Sequence, residues 1–157
     1  LTLRDEYLAM GLGEDAVRLS QRAMLFEEFI AAQADAGQLR LDLVPLGANT
    51  ALLHGHCHQK AFDAMAAVRR VLDLVPGLKV ETVESSCCGM AGSFGYEAEH
   101  FDVSMSMAEL ALLPAVRQAK PDTLVVADGT SCRHQIHDGS GREALHVARV
   151  LQMALKK

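Results

Sequence analysis

The chain has 157 residues, half of them hydrophobic, with few aromatics, no Trp and a formal net charge of -5. That length and apolar content suit one globular domain with an aliphatic core and exclude a disordered chain. The acidic balance, without a run of Lys or Arg, excludes a basic nucleic-acid footprint, and no stretch of about 18 apolar residues exists to span a membrane. The sequence opens on Leu1 and shows no signal-peptide pattern. It is therefore expected to be a fragment of a longer polypeptide, and cytoplasmic.

Residues 14–36 are expected to form a helix, with Leu19, Ala23, Phe26 and Ile30 on one face and Gly37 as its stop. Residues 39–44, LRLDLV, alternate apolar and polar and suggest a strand before Pro45 and Gly47. The apolar run TALLH at 50–54 reads as a buried strand. A helix should follow over 60–75, burying Ala61, Met65, Val68, Leu72 and Val75, and end at Pro76-Gly77. LKVETV at 78–83 is the next strand, followed by a glycine-rich loop. A helix over 97–119 should bury Phe101, Met105, Ala108, Leu112 and Val116, and Pro114 should kink or split it. TLVVA at 123–127 is the strongest strand, fit for a fully buried parallel position. A loop holding Cys132 and a helix over 141–155 complete the chain. This alternation implies a single α/β domain. Its parallel sheet of about four strands would be flanked by helices in Rossmann-like layers.

All four cysteines follow strands. Cys57 comes after 50–54, Cys87 and Cys88 after 78–83, and Cys132 after 123–127. In a parallel sheet the carboxyl ends share one rim, so three distant loops would bring four sulfurs together there. A bridge between Cys87 and Cys88 would be strained, because consecutive Cα atoms lie about 3.8 Å apart, below the usual disulfide range. Helix N-termini after the cysteines would offset thiolate charge. Gly89, Gly92 and Gly95 would let the backbone turn tightly beside the site. Four thiolates suit an iron–sulfur cluster or zinc. One adjacent pair and two lone cysteines fit a multi-iron cluster more readily than one tetrahedral ion.

HGHCHQKA at 54–61, SCCGMAGSFGYE at 86–97 and ADGTSCRHQI at 127–136 resemble the cysteine-rich CCG module of iron–sulfur oxidoreductase subunits. That module occurs in glycolate oxidase, anaerobic glycerol-3-phosphate dehydrogenase, lactate-utilisation proteins and heterodisulfide reductase. The likeness is strongest to the C-terminal part of FAD-linked 2-hydroxy-acid dehydrogenases fused to an iron–sulfur region. The resemblance implies Cys57, Cys87, Cys88 and Cys132 as metal ligands, with Gly89, Gly92 and Gln135 lining the cofactor. Gln135 stands where the family's last Cys would be. The implied function is electron transfer through an iron–sulfur cluster, 4Fe–4S in type, with zinc as the alternative. FAD would sit on a missing domain or partner, and a flavin-containing dehydrogenase part and a ferredoxin-like iron–sulfur domain are the implied partners. The resemblance adds a place peripheral to the inner membrane as a second expected location. Two other classes of function are a zinc-stabilised or metal-free interaction module within a redox complex and a thiol-based site working on disulfides.

Other polar residues carry plainer expectations. His54, His56 and His58 surround Cys57; we take the run as capping the next helix, with His56 or His58 beside the ligands. Arg133 and Lys60 would lend positive charge, and Asp128 would fix a loop. His134 is a neighbour of Cys132, while His100 and His146 would be packing or surface residues. Met105 and Met107 would be core.

Overall fold

The computed structural model describes residues 1–85 and 87–156. The chain begins with a short 3-10 turn, Thr2–Arg4, and the helices α1 (Glu6–Ala9), α2 (Glu14–Arg22) and α3 (Phe26–Asp35). The helix expected over 14–36 is thus two. Ala23 turns extended, with ψ 121°, and Glu28 accepts a hydrogen bond from the Leu25 amide at 2.8 Å to restart the chain as α3. Arg4 Nη1 holds the same carboxylate at 2.7 Å. The expected apolar face is displaced as well. Leu19 and Phe26 are exposed, while Glu27 and Ala31, one turn apart, are buried.

Four parallel strands follow: β1 (Thr50–His54), β2 (Lys79–Thr82), β3 (Leu124–Ala127) and β4 (Ala144–Leu145), in spatial order β2-β1-β3-β4. The first three lie where their apolar runs place them. The segment 39–44 is not a strand of this sheet. Leu43 makes only an isolated antiparallel bridge with Leu155 near the end of the chain. The fourth strand is instead Ala144–Leu145, inside the stretch expected to open the last helix.

Between the strands run α4 (Cys57–Ala61), α5 (Met65–Leu72), α6 (Phe101–Glu109), α7 (Leu112–Gln118) and α8 (Thr130–Ser140), and α9 (Val147–Ala154) closes the chain. Asp63, at φ 55°, separates α4 from α5, so the helix expected over 60–75 is also two. The helix expected over 97–119 divides before Pro114, which sits in the first turn of α7, where a proline removes no needed donor. Phe101 and Met107 are exposed, and only Ala108, Leu112 and Val116 of that face are fully buried.

Side chains alternate across the sheet. Ala51, Leu53 and Val126 pack with Ala31, Val68, Val71 and Val150 on one face. Leu52, Val125 and Ala127 pack with Leu112, Val116 and Ile136 on the other. Chain order reverses around β1, since β2 lies on one side of it and β3 on the other. The carboxyl ends of β1 and β3 therefore border a crevice between diverging connections.

The loop after β2 depends on two glycines in the left-handed region, Gly89 (φ 91°) and Gly92 (φ 71°). A Cβ on Gly89 would collide with the Ser104 carbonyl on α6, whereas one on Gly92 meets open space. Gly89→Ala is expected to cost about 2–4 kcal/mol, and Gly92→Ala about 1 kcal/mol. Urea-unfolding midpoints of the two variants would show it; equal costs would contradict the close approach.

Burial alone would raise the Glu28 pKa, but Arg4 and the Leu25 amide outweigh it and hold the carboxyl below its ordinary 4.5. A depressed folded pKa stabilises above the unfolded value and loses that contribution as pH falls through the folded one. Glu28→Gln is expected to cost about 1–2 kcal/mol at neutral pH. The difference from wild type should close as the medium is acidified below the folded pKa, read by denaturant titration at several pH values.

Candidate metal centre

Three loops meet at the carboxyl rim. Cys57 is the first residue of α4, two residues beyond Gly55, and Cys132 lies in the first turn of α8. The expected loop around Cys132 is therefore helix. Cys132, Gln135 and Ile136 form its buried stripe. The Cys132 thiol donates to Cys88 Sγ at 3.2 Å, both buried. Cys57 and Cys87 are half-buried, and none of the four cysteines is in a disulfide.

The bond between the two sulfurs sets their ionisation apart. The thiol of Cys132, then His54 and the Met90 amide, stabilise the Cys88 thiolate against the opposing effect of burial and push its pKa far down. The same bond pushes Cys132 far up, reinforced by burial and by negative charge on Cys88, Cys57 and Cys87. Cys57 is raised by burial and then by Cys87. The four sulfurs thus lie within one another's electrostatic reach, and the fully ionised set repels itself until a cation joins it.

Of the His54, His56 and His58 run, the structure brings His54 to the buried sulfurs, against the capping role expected for the run. His54 ends β1, is 1% exposed, and has a ring nitrogen within 4.8 Å of both Cys88 and Cys132 sulfurs. Its Nδ1 pairs with Ser85 Oγ at 2.9 Å. Its Nε2 is buried with no hydrogen-bond partner among the described residues. His56 does cap α4: its Nδ1 accepts the His58 amide at 3.1 Å, and Gln59 Oε1 accepts the His56 amide at 3.2 Å. Burial, then the neighbouring His58, lowers the His56 pKa, consistent with a neutral ring that accepts. His58 is exposed.

Helix starts and a loop amide face the sulfurs. The Gly89 amide donates to Cys87 Sγ at 3.3 Å. Gly129, before α8, is required by contact: a Cβ there would strike the His56 ring and approach Cys132 Sγ to 2.9 Å. Gln135 is buried, and its amide nitrogen donates to Ser104 O at 3.1 Å and Oγ at 3.0 Å, tying α8 to α6. Gly92 lies in the same loop with open space beside it. Arg133 spends its guanidinium on the carbonyls of Ala127 (3.1 Å) and Asp128 (2.6 Å) at the end of β3. Lys60 donates to the Ser85 carbonyl. His134 is exposed and pairs with Tyr96 Oη at 2.6 Å. His100 stacks on Phe94.

Asp128 fixes more than a loop. Its Oδ2 accepts from Gln59 Nε2 at 2.7 Å and its Oδ1 from the Val147 amide at 2.9 Å, joining the end of β3 to α4 and α9. His146 is no helix-interior residue; it caps α9, its Nδ1 accepting the Ala148 amide at 3.1 Å.

The donor set fits a thiophilic metal. Two sulfurs and an imidazole nitrogen converge in a buried space, and soft or borderline ions prefer such ligands. Two thiolates on one zinc stand about 3.8 Å apart, from Zn–S bonds of about 2.3 Å in a tetrahedron. The observed 3.2 Å is slightly closer, so a metal would separate the pair a little.

Comparison with known proteins places the chain beside dehydrogenases. It is 29% identical over 155 residues to one of the subunits of anaerobic glycerol-3-phosphate dehydrogenase from Escherichia coli (strain K12), covering 98% of this chain and 37% of that protein. It is 29% identical over 157 residues to D-2-hydroxyglutarate dehydrogenase of the same strain, covering 99% of this chain and 15% of that protein. A D-2-hydroxyglutarate dehydrogenase of Pantoea ananatis is 33% identical over 75 residues, 48% of this chain and 7% of that protein. The chain thus spans well under half the length of these relatives. No family model matches it, and no solved structure matches it.

Burial and thiolate character oppose each other at Cys88, and burial should win, because a thiolate of low pKa is also a weaker nucleophile and its greater ionised fraction is largely cancelled. A local opening costing about 1.4 kcal/mol already slows labelling about tenfold. Iodoacetamide at neutral pH is expected to modify Cys57 and Cys87 before Cys88 and Cys132 in metal-free chain, followed by timed tandem mass spectrometry. Early labelling of Cys88 would show instead that its ionisation dominates.

Proposed function

We propose that the chain is the iron–sulfur-binding electron-transfer module of an FAD-linked oxidoreductase acting on a 2-hydroxy acid such as glycolate, lactate or 2-hydroxyglutarate. The observation that carries the proposal is the convergence of Cys88 and Cys132 at 3.2 Å on the carboxyl rim, with Cys57 and Cys87 within charge range. The relatives, dehydrogenases by name, support the oxidoreductase setting. Cys57, Cys87, Cys88 and Cys132 would hold a 4Fe–4S cluster, a one-electron carrier when bound. The chain's own part is to hold the thiolates and tune them: the Gly89 amide at Cys87, helix starts at Cys57 and Cys132, and His54 beside the buried pair. As one CCG-type domain it would serve a flavin-containing dehydrogenase part and a ferredoxin-like iron–sulfur domain, on the same polypeptide or on partners, in the cytoplasm or against the inner membrane. Oxidation of the substrate would belong to the flavin part.

A second reading rests on the compactness of His54, Cys88 and Cys132, whose ligand atoms lie within 4.8 Å of one another. Such a set suits a single zinc ion stabilising an interaction module. Protein made and handled without oxygen separates the two. About four iron and four sulfide per chain are expected, with visible absorption that Cys88→Ser abolishes. One zinc per chain and no iron would replace the electron-transfer proposal with the zinc reading, and protein free of both metals would reject both.

A further inference from the structure

A second group of ligand-type side chains stands beyond the cysteines on the same rim, past β3 and β4. Glu27 from α3, Asp128 after β3 and His146 before α9 bring one ligand atom each within 4.8 Å of the others. They line a cavity of about 260 Å³ whose wall also holds Glu6, His56 and His58 but, among the described residues, no Lys or Arg.

Glu27 is the informative residue. It is 2% exposed, and beyond its own backbone amide it has no hydrogen-bond donor among the described residues. Its nearest counter-group is His146 Nε2, at 3.8 Å, too long for a hydrogen bond. Burial, reinforced by the Asp128 charge, lifts its pKa above the ordinary carboxyl value. A buried carboxylate so poorly compensated is costly, and its second carboxylate neighbour makes it more so.

The other two groups are held as ligands usually are. Both Asp128 oxygens already accept one N–H bond, from Gln59 and from the Val147 amide, which fixes the carboxylate and leaves a lone pair on each oxygen. His146 Nδ1 accepts the Ala148 amide, so in the neutral ring the proton sits on Nε2, the nitrogen facing Glu27. A metal ion would take the place of that proton.

We propose that Glu27, Asp128 and His146 form a second metal site, separate from the cysteines, that takes a divalent ion accepting mixed oxygen and nitrogen ligands, such as Mn²⁺ or Fe²⁺. Two carboxylates and one imidazole suit that class better than they suit a thiophilic ion. The remaining coordination positions open onto the cavity. The proposal is independent of what the cysteines bind.

The test is a Mn²⁺ titration followed by the paramagnetic resonance signal of the free ion. Wild-type chain is expected to bind one Mn²⁺, and the double variant Cys88→Ser/Cys132→Ser should bind it equally well. Glu27→Gln, and His146→Asn, which keeps a capping side chain on α9, should each weaken binding at least about tenfold, a loss of about 1.4 kcal/mol. Circular dichroism would verify that each variant stays folded. Absence of binding by wild type up to about 1 mM Mn²⁺ would overturn the site. So would undiminished binding by both folded variants, or binding lost only with the cysteines.

Discussion

The pairing of β1 with β3 is the constraint on which the site depends. Leu53 stands beside Val126 and His54 beside Ala127, so both strands end at the same level. Cys57 and Cys132 then begin helices from neighbouring points on one rim, and the loop from β2, on the other side of β1, carries Cys88 against Cys132. A slip of one residue in that register would turn His54 to the opposite face and withdraw the imidazole from the sulfurs. The apolar contacts that hold the register lie within the two cores, so the arrangement of the sulfurs rests on packing several residues away from any of them.

A thin wall separates the sulfur cluster from the acidic cavity. His56 caps α4 and lines the cavity, Gly129 passes against its ring, and Gln59 reaches across to Asp128. The wall is polar, buried in part, and saturated with hydrogen bonds between side chains and backbone. Such a network keeps its geometry because each broken bond would strand a buried polar group. Soft donors lie on one side of it and hard donors on the other, so one sheet edge presents two chemically distinct surfaces.

Much of this was legible in the sequence, and the failures have physical causes. TALLH and TLVVA declare themselves by burial-type composition and LKVETV by its alternation, and the placement of the four cysteines after strands puts them at one rim. LRLDLV has the alternation of a strand, yet its partner is the chain's own end, a tertiary choice that no local pattern encodes. Ala144–Leu145 is too short to show a period. The break at Ala23–Leu25 lacks Gly or Pro and arises because Glu28 claims the Leu25 amide. The helix at Cys132 escapes notice because its buried stripe of Cys132, Gln135 and Ile136 includes a Gln, which periodicity does not count as apolar. His54 hides as the last residue of a strand. Glu27 hides as an acid in a first helical turn, where such residues ordinarily face solvent and serve the helix dipole.

The two halves of the cysteine pocket differ mechanically. Cys57 and Cys132 are anchored in the opening turns of helices, where a sulfur can swing about its side-chain bonds but the backbone cannot travel. Cys87 and Cys88 ride on a loop hinged at two left-handed glycines. The pocket therefore resembles a vice with one stationary jaw and one sliding jaw. Any adjustment of the spacing between sulfurs falls on the segment from 87 to 92, and the helical side sets the gauge to which that segment must conform.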